Sequence, residues 1–388
     1  MKTRRFWVFL FLSPLLIYWV WDSVVPSIVD RLINRVQTHE SWPINDETRE
    51  LHESIPVADL HADPLLWKRN WLVGDGRGHT DLPRLQAGGV ALQVLTAVTK
   101  SPSGQNYSEN SPDTDTLSYL TIAQLWPMET WSSPFARAVY QAEKLADWDA
   151  QAGEQFRVIR NQKELRILRE GQESNKAWVG GIFGIEGGHA LEGNLKNLER
   201  LDELGLRVVG LTHFFDNRLG GSLHGQTGEG LTDFGRQVVL EADRRGMTID
   251  VAHASSQMVR DVLDLTSRPV ILSHGGFKGL CDVGRNLDDA LMLELAQRGA
   301  LIGVGFWDGA VCDYSPEGVV RAIQYGIDLL GVDHIALGSD YDGATQVLFD
   351  AEELPILTQT MLEQGMPEPH IRKVMGENAI RFFSQNLP

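Results

Sequence analysis

Cysteine is scarce in this sequence of 388 residues, which contains only two, Cys281 and Cys312. Two cysteines are too few for a disulfide scaffold of the kind that stabilises small secreted domains. In an exported chain the pair could close one bridge across a loop of about thirty residues. Two unpaired buried thiols are the alternative that the pattern leaves open.

Positively charged residues are also few: the sequence has 35 Lys and Arg against 52 Asp and Glu, which gives a formal net charge of −17 at pH 7. No basic stripe overrides this balance locally, so nucleic acid is excluded as an expected partner. The hydrophobic fraction of 43%, with Gly and Pro spread through the chain, indicates an ordinary folded enzyme-like protein rather than a disordered or fibrous one. The sequence shows no internal repeat and no second domain.

Long apolar runs are absent except at the N-terminus, where basic residues precede FWVFLFLSPLLIYWVW and Asp22 ends the run. Extended to Val25, this run approaches the roughly 20 residues that span a bilayer. No small-x-small pair follows it, which favours an uncleaved signal anchor over residues 1–25. A cleaved signal peptide and a buried N-terminal helix are the alternatives.

The positive flank of this segment predicts which side of the membrane the remaining chain occupies. Basic residues stay on the cytoplasmic side, so the rest lies outside, in a periplasm or its equivalent. The polar, mixed segment 26–55 is interpreted as a stalk, and residues 56–388 as the catalytic domain.

Eight short apolar segments recur along the chain and are almost continuously apolar, as strands buried on both faces should be. Segments with helical patterns, such as LKNLERLDELG, lie between them. Eight successive β/α units predict a closed parallel (β/α)8 TIM barrel, with an insertion at about 100–178 between the second and third strands. The predicted strands are 57–61, 91–98, 179–187, 207–213, 247–253, 268–274, 300–306 and 334–340.

Metal-ligand and acid/base residue types stand at the ends of these predicted strands. The C-terminal ends of barrel strands meet at one mouth, where the active sites of barrel enzymes lie. A single histidine there is more often a hydrogen-bonded core residue, but the joint occurrence predicts a metal site. Imidazoles and carboxylates without thiolates favour Zn²⁺, with Mn²⁺, Fe²⁺ or Co²⁺ as alternatives. The residues are His61, Asp63, Glu186, His213, His253, His274 and Asp340.

The remaining histidines divide into two groups. Four lie away from the predicted mouth and are interpreted as structural or surface residues: His39, His52, His334 and His370. Three lie in loops on the catalytic side and are candidates to line the pocket, with His189 foremost because it closely follows Glu186: His79, His189 and His224.

Nine motifs connect these residues to a known family: LHADPLLW, HTDLPRLQAGGVALQ, GIEGGHAL, LTHFFDN, GLTDFGRQVV, IDVAHAS, VILSHGG, GRNLDD and GSDYDG. In this order they resemble the motifs of the membrane (renal) dipeptidases, peptidase family M19 of the metal-dependent amidohydrolase superfamily. The resemblance runs from about residue 57 to the C-terminus. Its weakest part is the insertion, which in this fold shapes the pocket.

The resemblance implies two Zn²⁺ ions per chain. His61 and Asp63 would bind the first ion, His253 and His274 the second, and Glu186 would bridge them. Two cations that share a water lower its pKa and polarise the scissile carbonyl, so the expected nucleophile is hydroxide and not a protein side chain.

The resemblance also implies roles for residues around the metals. Asp340 would handle the proton of the water and of the leaving amine, and His213 would contact substrate and steady the tetrahedral intermediate. Arg285, in GRNLDD, would grip the terminal carboxylate of the substrate, with His189 as a further substrate contact. Paired cysteines in some relatives imply a bridge between Cys281 and Cys312.

The resemblance leads to a first hypothesis of a dipeptidase that cleaves small peptides, including those with a C-terminal D-residue, and relatives of this type often form homodimers. A membrane-tethered tailoring enzyme for a peptide-derived natural product is the second hypothesis. A scaffold that no longer catalyses is the third, and it predicts a broken ligand set. Two features depart from the mammalian relatives: Ala62 replaces an Asn, and the predicted anchor is N-terminal rather than a C-terminal lipid.

Overall fold

The computed structural model describes residues 24–388, so the predicted anchor lies outside the described residues except for its last two positions. Between residues 24 and 388, none of the helices is long and apolar enough to cross a membrane. The strands are β1 Arg35–Val36, β2 Val57–Ala62, β3 Val90–Val98, β4 Phe156–Val158, β5 Val179–Glu186, β6 Leu206–Gly210, β7 Thr248–Asp250, β8 Ile271–Gly275, β9 Leu301–Val304, β10 Ile335–Leu337 and β11 Gln346–Val347.

Eight of these strands close into a parallel barrel in the order β2, β3, β5, β6, β7, β8, β9, β10. The ring closes where β10 pairs with β2, through Leu337 and Asp59. The longest ladder joins β3 to β5 over seven pairs, from Leu92 opposite Gly180 to Val98 opposite Glu186. Each barrel strand is buried along nearly its whole length, which explains why the sequence shows continuous apolar runs instead of alternation.

The eight predicted strands are confirmed, but five of them end earlier than the sequence indicates, three of them by three residues. β6, β7 and β10 end at Gly210, Asp250 and Leu337, each three residues before the predicted site residue that follows it. His213, His253 and Asp340 therefore lie in the loops directly after these strands, because the backbone leaves the sheet to turn across the mouth.

Helices surround the barrel, and polar side chains start many of them. Ser255, for example, precedes a helix and accepts a hydrogen bond from the N–H of Met258 at 3.0 Å, which satisfies one of the free donors of the first turn. The helices are α1 Val25–Ile33, α2 Asp46–Glu53, α3 Leu82–Ala87, α4 Leu117–Ala123, α5 Pro134–Ala152, α6 Gln162–Gln172, α7 Leu195–Glu203, α8 Asp233–Arg244, α9 Ser256–Leu265, α10 Asp289–Gln297, α11 Asp308–Val311, α12 Pro316–Leu330, α13 Pro355–Glu363, α14 Glu368–Arg372 and α15 Asn378–Asn386.

The insertion between β3 and β5 contains α4, α5, β4 and α6. The short strand β4, which the sequence analysis did not predict, pairs with the beginning of β5 from Phe156 opposite Val179 to Val158 opposite Gly181. The insertion is thus joined to the barrel by a ladder and by the buried face of α5.

Much of the predicted stalk packs against the barrel. β1 pairs in parallel with β11, which follows the last barrel strand. The His52 ring of α2 is buried, with Nδ1 at 2.8 Å from Thr358 Oγ1 and Nε2 at 3.0 Å from the Gly88 carbonyl. His52 is therefore structural, as predicted, and so is His334, whose Nδ1 bonds the Ala300 carbonyl at 2.9 Å.

Cys281 and Cys312 form a disulfide with Cα atoms 5.6 Å apart and a sequence separation of 31 residues. The bridge ties the loop after β8 to the end of α11. On the chain-entropy model, closing a loop of this length stabilises a fold by about 3 to 4 kcal/mol. We therefore expect the free energy of unfolding of a C281S/C312S variant, measured in denaturant, to be about 3 kcal/mol lower than that of the wild type. An unchanged unfolding midpoint would contradict a structural role for the bridge.

Candidate metal centre and substrate cavity

Six barrel elements bring buried imidazoles and carboxylates to one point at the C-terminal mouth. Three overlapping groups of potential metal ligands form there, each with its donor atoms within 4.8 Å of one another. The groups are His61, Glu186 and His274; Glu186, His213 and His253; and His61, Asp63 and Asp340. The structure thus brings all seven predicted strand-end residues together.

Glu186, the last residue of β5, lies at the centre of this cluster. Its Oε1 atom is 3.1 Å from Nε2 of His253, 3.4 Å from Nε2 of His274 and 3.5 Å from Nε2 of His61. Its Oε2 atom is 3.4 Å from Nε2 of His213. One carboxylate therefore faces four imidazoles, three through Oε1 and one through Oε2.

Asp63 has one oxygen engaged and one free to bind a ligand. Its Oδ1 accepts a hydrogen bond from the Thr96 hydroxyl at 2.5 Å. Its Oδ2 is buried without a hydrogen-bond partner and lies 3.5 Å from Nε2 of His61. A buried carboxylate oxygen without a partner is costly, and a cation would satisfy it.

Ser273 orients two of the histidines. Its hydroxyl donates to Asp250 Oδ2 at 2.6 Å, so its oxygen is free to accept hydrogen bonds. Nδ1 of His274 lies 2.8 Å from that oxygen and Nδ1 of His61 lies 3.1 Å from it. With both Nδ1 atoms on the Ser273 hydroxyl, the Nε2 atoms face Glu186, which is the orientation that metal-binding histidines need.

The charges of the cluster are unbalanced without a cation. Burial, together with the neighbouring Asp63, raises the pKa of Glu186 well above its ordinary value. Burial lowers the pKa of His61, but the carboxylates Asp63 and Glu186 outweigh burial and raise it to about 10. The crowded carboxylates thus favour positive charge within the cluster, which protons or a bound cation would supply.

His253 and His274 have the opposite electrostatics. Burial holds the pKa of both imidazoles well below the ordinary value, so both are neutral at pH 7. Their Nε2 atoms approach to 3.0 Å. Neutral imidazoles whose nitrogens converge on one carboxylate oxygen fit a divalent cation such as Zn²⁺.

The loop after β10 supplies Asp340. Its backbone has a φ of 58°, in the left-handed region that non-glycine residues seldom occupy. A Cβ at Gly343 would lie 2.1 Å from Asp340 Oδ1, so only glycine permits this loop to fold over the carboxylate. Burial raises the pKa of Asp340 to about 8, against the opposing effect of His61. A carboxyl group of this kind is suited to accept and return a proton.

Arg285 is buried on the far side of the mouth and is held by the backbone. Its Nη1 donates to the Ala252 carbonyl at 2.9 Å and its Nη2 to the His274 carbonyl at 2.7 Å. The guanidinium lies 5.5 Å from the centre of the Trp307 ring. The side chain is therefore fixed in the cavity wall with donors to spare for a carboxylate.

His213 lines the cavity, whereas His189 does not. Burial lowers the pKa of His213 to about 3, so the ring is neutral and can donate one N–H to a substrate oxygen. His189 instead bonds Thr99 Oγ1 through Nε2 at 3.0 Å and packs on Phe215. Gly187, at a φ of 98°, turns the chain in this direction, and a Cβ there would lie 2.3 Å from the His189 ring. His189 therefore lies outside the cavity lining, and its contact with substrate stays a prediction.

The other two candidate loop histidines also lie outside the cavity wall. Nδ1 of His79 accepts a hydrogen bond from the N–H of Asp342 at 2.9 Å, behind the Asp340 loop. His224 stacks on Phe214 with ring centres 4.9 Å apart. Both side chains support residues of the mouth without facing the cavity.

The cavity above the cluster has a volume of about 480 Å³. Its floor contains the ligand cluster and Arg285, and Trp307 and Tyr107 stand beside them. The Tyr107 hydroxyl accepts a hydrogen bond from Nε1 of Trp307 at 2.9 Å. Tyr107 comes from the insertion, whose serine- and proline-rich sequence gave no signal that one of its residues would reach the site.

A sequence model of the membrane dipeptidase family, peptidase family M19, matches residues 45–387. Among solved structures, the chain is similar to a metallo peptidase from Rhodobacter sphaeroides liganded with a phosphinate mimic of the dipeptide L-Ala-D-Ala. The identity is 28% and the TM-score 0.70, with 86% of this chain and 99% of that chain covered.

Two further solved structures are similar over most of the chain. Dipeptidase AC, a metallo peptidase of family M19, has 27% identity and a TM-score of 0.69, covering 86% of this chain and 99% of that chain. The probable dipeptidase PvdM from Pseudomonas aeruginosa has 19% identity and a TM-score of 0.73, covering 88% of this chain and 98% of that chain. This last likeness concerns the fold alone.

Proposed function

The chain belongs to the membrane dipeptidase family and is a metal-dependent dipeptidase, and from this premise we propose that it hydrolyses dipeptides with two bound Zn²⁺ ions. The observation that carries the proposal is the position of Glu186, whose two oxygens face four imidazoles within 3.5 Å. The converging donor set also argues against the non-catalytic scaffold, which predicted a broken ligand set.

We assign the ligands as the family resemblance implies, and all five lie within the cluster. His61 and Asp63 would hold one ion, His253 and His274 the other, and Glu186 would bridge them. When bound, such a pair supplies Lewis acidity and lowers the pKa of water toward neutrality. Ser273 and Thr96 would hold these ligands in place, because Ser273 bonds Nδ1 of His61 and His274 and Thr96 bonds Oδ1 of Asp63.

The chain's own residues would carry the remaining steps. Asp340 takes the proton that water loses on attack and delivers it to the departing nitrogen, for which a raised pKa suits it. His213 donates its N–H to the carbonyl oxygen as negative charge develops there. Arg285 fixes the C-terminal carboxylate by paired hydrogen bonds and so sets which peptide bond reaches the cluster.

The substrate assignment can be tested through Arg285. We expect the wild-type enzyme to hydrolyse L-Ala-D-Ala with a kcat/KM about 100-fold above that for the C-terminal amide, because a charged hydrogen-bonded pair contributes about 1.5 to 3 kcal/mol. In Arg285→Met this preference should fall to a few-fold while metal content stays the same. The preference of Arg285→Lys should lie between those of the wild type and Arg285→Met. Hydrolysis of larger peptides in preference to any dipeptide would favour the tailoring enzyme instead.

We also propose that residues 1–25 anchor the protein in the membrane, with the catalytic domain on the outer side. Support comes from the apolar run in the sequence and from the disulfide, since such bridges persist outside the cytoplasm. The exposed side chains Ile28 and Leu32 of α1 follow directly after the run. The mass of the mature N-terminus and carbonate extraction of membranes test this proposal, and a sizing column tests the expected homodimer.

A further inference from the structure

One side of the substrate cavity is built by α1, which precedes the region matched by the family model. Val29 and Ile33 stand four residues apart on this helix, so they share one face, and both line the cavity. Val29 is half-buried, whereas Ile33 keeps 38% of its surface exposed. Val29 packs against the apolar cluster formed by Leu66, Trp67 and Leu117. The cavity of this chain thus contains a wall that the family resemblance does not account for.

Buried polar contacts fix α1 in this position. Asp30 receives two hydrogen bonds from Arg69, at 2.7 and 2.5 Å, and Arg69 also pairs with Asp342 at 2.8 Å. Asn34 donates to Asp30 at 3.0 Å and accepts from the Ala344 N–H at 3.0 Å. The network joins α1 to the loop that carries Asp340, so the wall is attached to the catalytic mouth itself.

The wall that α1 completes is apolar. Among the described residues that line the cavity, the full charges belong only to Asp63, Glu186, Asp340 and Arg285, all on the floor. Uncharged polar side chains also line the cavity, namely Ser101, Gln105, Thr116 and Thr345. A charged group placed against the apolar side chains would lose its hydration without gaining an opposite charge. The apolar side chains of the wall are Val29, Ile33, Leu66, Trp67, Leu117 and Leu120.

Barrel topology decides which part of a dipeptide faces this wall. Arg285 is held by carbonyls at the ends of β7 and β8, whereas Asp63 and Asp340 follow β2 and β10. In the ring these two pairs are separated by β9 on one side and by β3, β5 and β6 on the other. A dipeptide whose carboxylate is on Arg285 and whose scissile bond is at the cluster therefore directs its N-terminal residue toward α1.

We infer that the enzyme selects dipeptides whose N-terminal residue carries a large apolar side chain, and that Val29 and Ile33 of α1 provide part of that selectivity. The inference rests on the proposed dipeptidase function and names its substrate class. Burying such a side chain against the wall removes apolar surface from water and so stabilises the bound state.

The test compares hydrolysis of L-Leu-D-Ala, L-Ala-D-Ala and L-Asp-D-Ala by the full-length protein loaded with Zn²⁺. We expect kcat/KM for L-Leu-D-Ala to exceed that for L-Ala-D-Ala by about tenfold or more and L-Asp-D-Ala to be the poorest substrate. The double substitution Val29→Ala with Ile33→Ala should reduce the Leu-to-Ala ratio by about fivefold. The matched control is Leu32→Ala on the same helix, whose side chain is 64% exposed and does not line the cavity, so the ratio should not change.

A variant that fills part of the cavity distinguishes a change in selectivity from a general loss of folding, because misfolding would lower the hydrolysis of all substrates alike. Val29→Trp should lower kcat/KM for L-Leu-D-Ala more than for L-Ala-D-Ala, because the smaller side chain needs less of the space. A flat preference in the wild type, or a ratio that neither Val29 variant changes, would overturn the inference while leaving the dipeptidase proposal intact. Failure to hydrolyse any dipeptide would overturn both.

Discussion

An Asp340→Asn variant is expected to lose about a thousandfold in kcat, since proton transfer by a positioned side chain contributes about 10²- to 10⁴-fold. The amide keeps the shape of the carboxylate but cannot accept the proton of the attacking water. Asp340 lies 3.9 Å from Nε2 of His61, at the margin of the cluster, so the other donors remain in place. Metal content measured by mass spectrometry should therefore match the wild type while turnover of L-Ala-D-Ala collapses.

Asp342 supplies the matched comparison from the same loop. It is also buried, but it pairs with Arg69 and accepts hydrogen bonds from the N–H groups of His79 and Thr80. Asp342→Asn should lower the melting temperature, because it weakens a buried ion pair. Asp340→Asn should lower kcat without that loss of stability. Equal kcat in Asp340→Asn and wild type would contradict the proton-transfer role.

Glu186→Gln is expected to have the second large effect, at least about a thousandfold on kcat/KM, because several kcal/mol of transition-state stabilisation depend on the metal ions. An amide has one oxygen and carries no charge, so it cannot bridge two cations. Metal content should fall below two ions per chain. The Glu203→Gln control, on the exposed end of α7, should leave metal content and activity unchanged.

Stability measurements separate this effect from misfolding. Without metal, Glu186 is one of several crowded buried carboxylates, and the metal-free Glu186→Gln protein should melt no lower than the metal-free wild type. Added Zn²⁺ raises the melting temperature of a protein that binds it only when folded. This rise should be large in the wild type and small in Glu186→Gln. A wild-type-sized rise in the variant would show that Glu186 is not a bridging ligand.

The barrel and its ligand cluster could be predicted because the sequence carries both signals locally. Strands buried on two faces leave continuous apolar runs, and in a closed parallel barrel all strand ends meet at one mouth. His61 and Asp63 are two residues apart at the end of β2, so their shared direction follows from strand geometry alone. The fold then determines that Glu186 and His274 join them.

The cavity wall could not be predicted because it depends on contacts distant in sequence. α1 contributes Val29 and Ile33 to the cavity, but these residues come from a segment that was interpreted as a stalk. The sequence does place Asp30 and Asn34 four residues apart on the helix, and only the fold shows that Arg69 and Ala344 bond them. The position of His189 likewise depends on a contact distant in sequence, because its Nε2 bonds Thr99 Oγ1.

The most direct test of the two-metal account is titration of metal-free full-length enzyme with Zn²⁺, following bound metal and hydrolysis of L-Ala-D-Ala in the same samples. The account predicts that activity rises to its maximum as the second equivalent binds and that further metal adds nothing. Full activity with one equivalent, or hydrolysis by the metal-free enzyme, would contradict it.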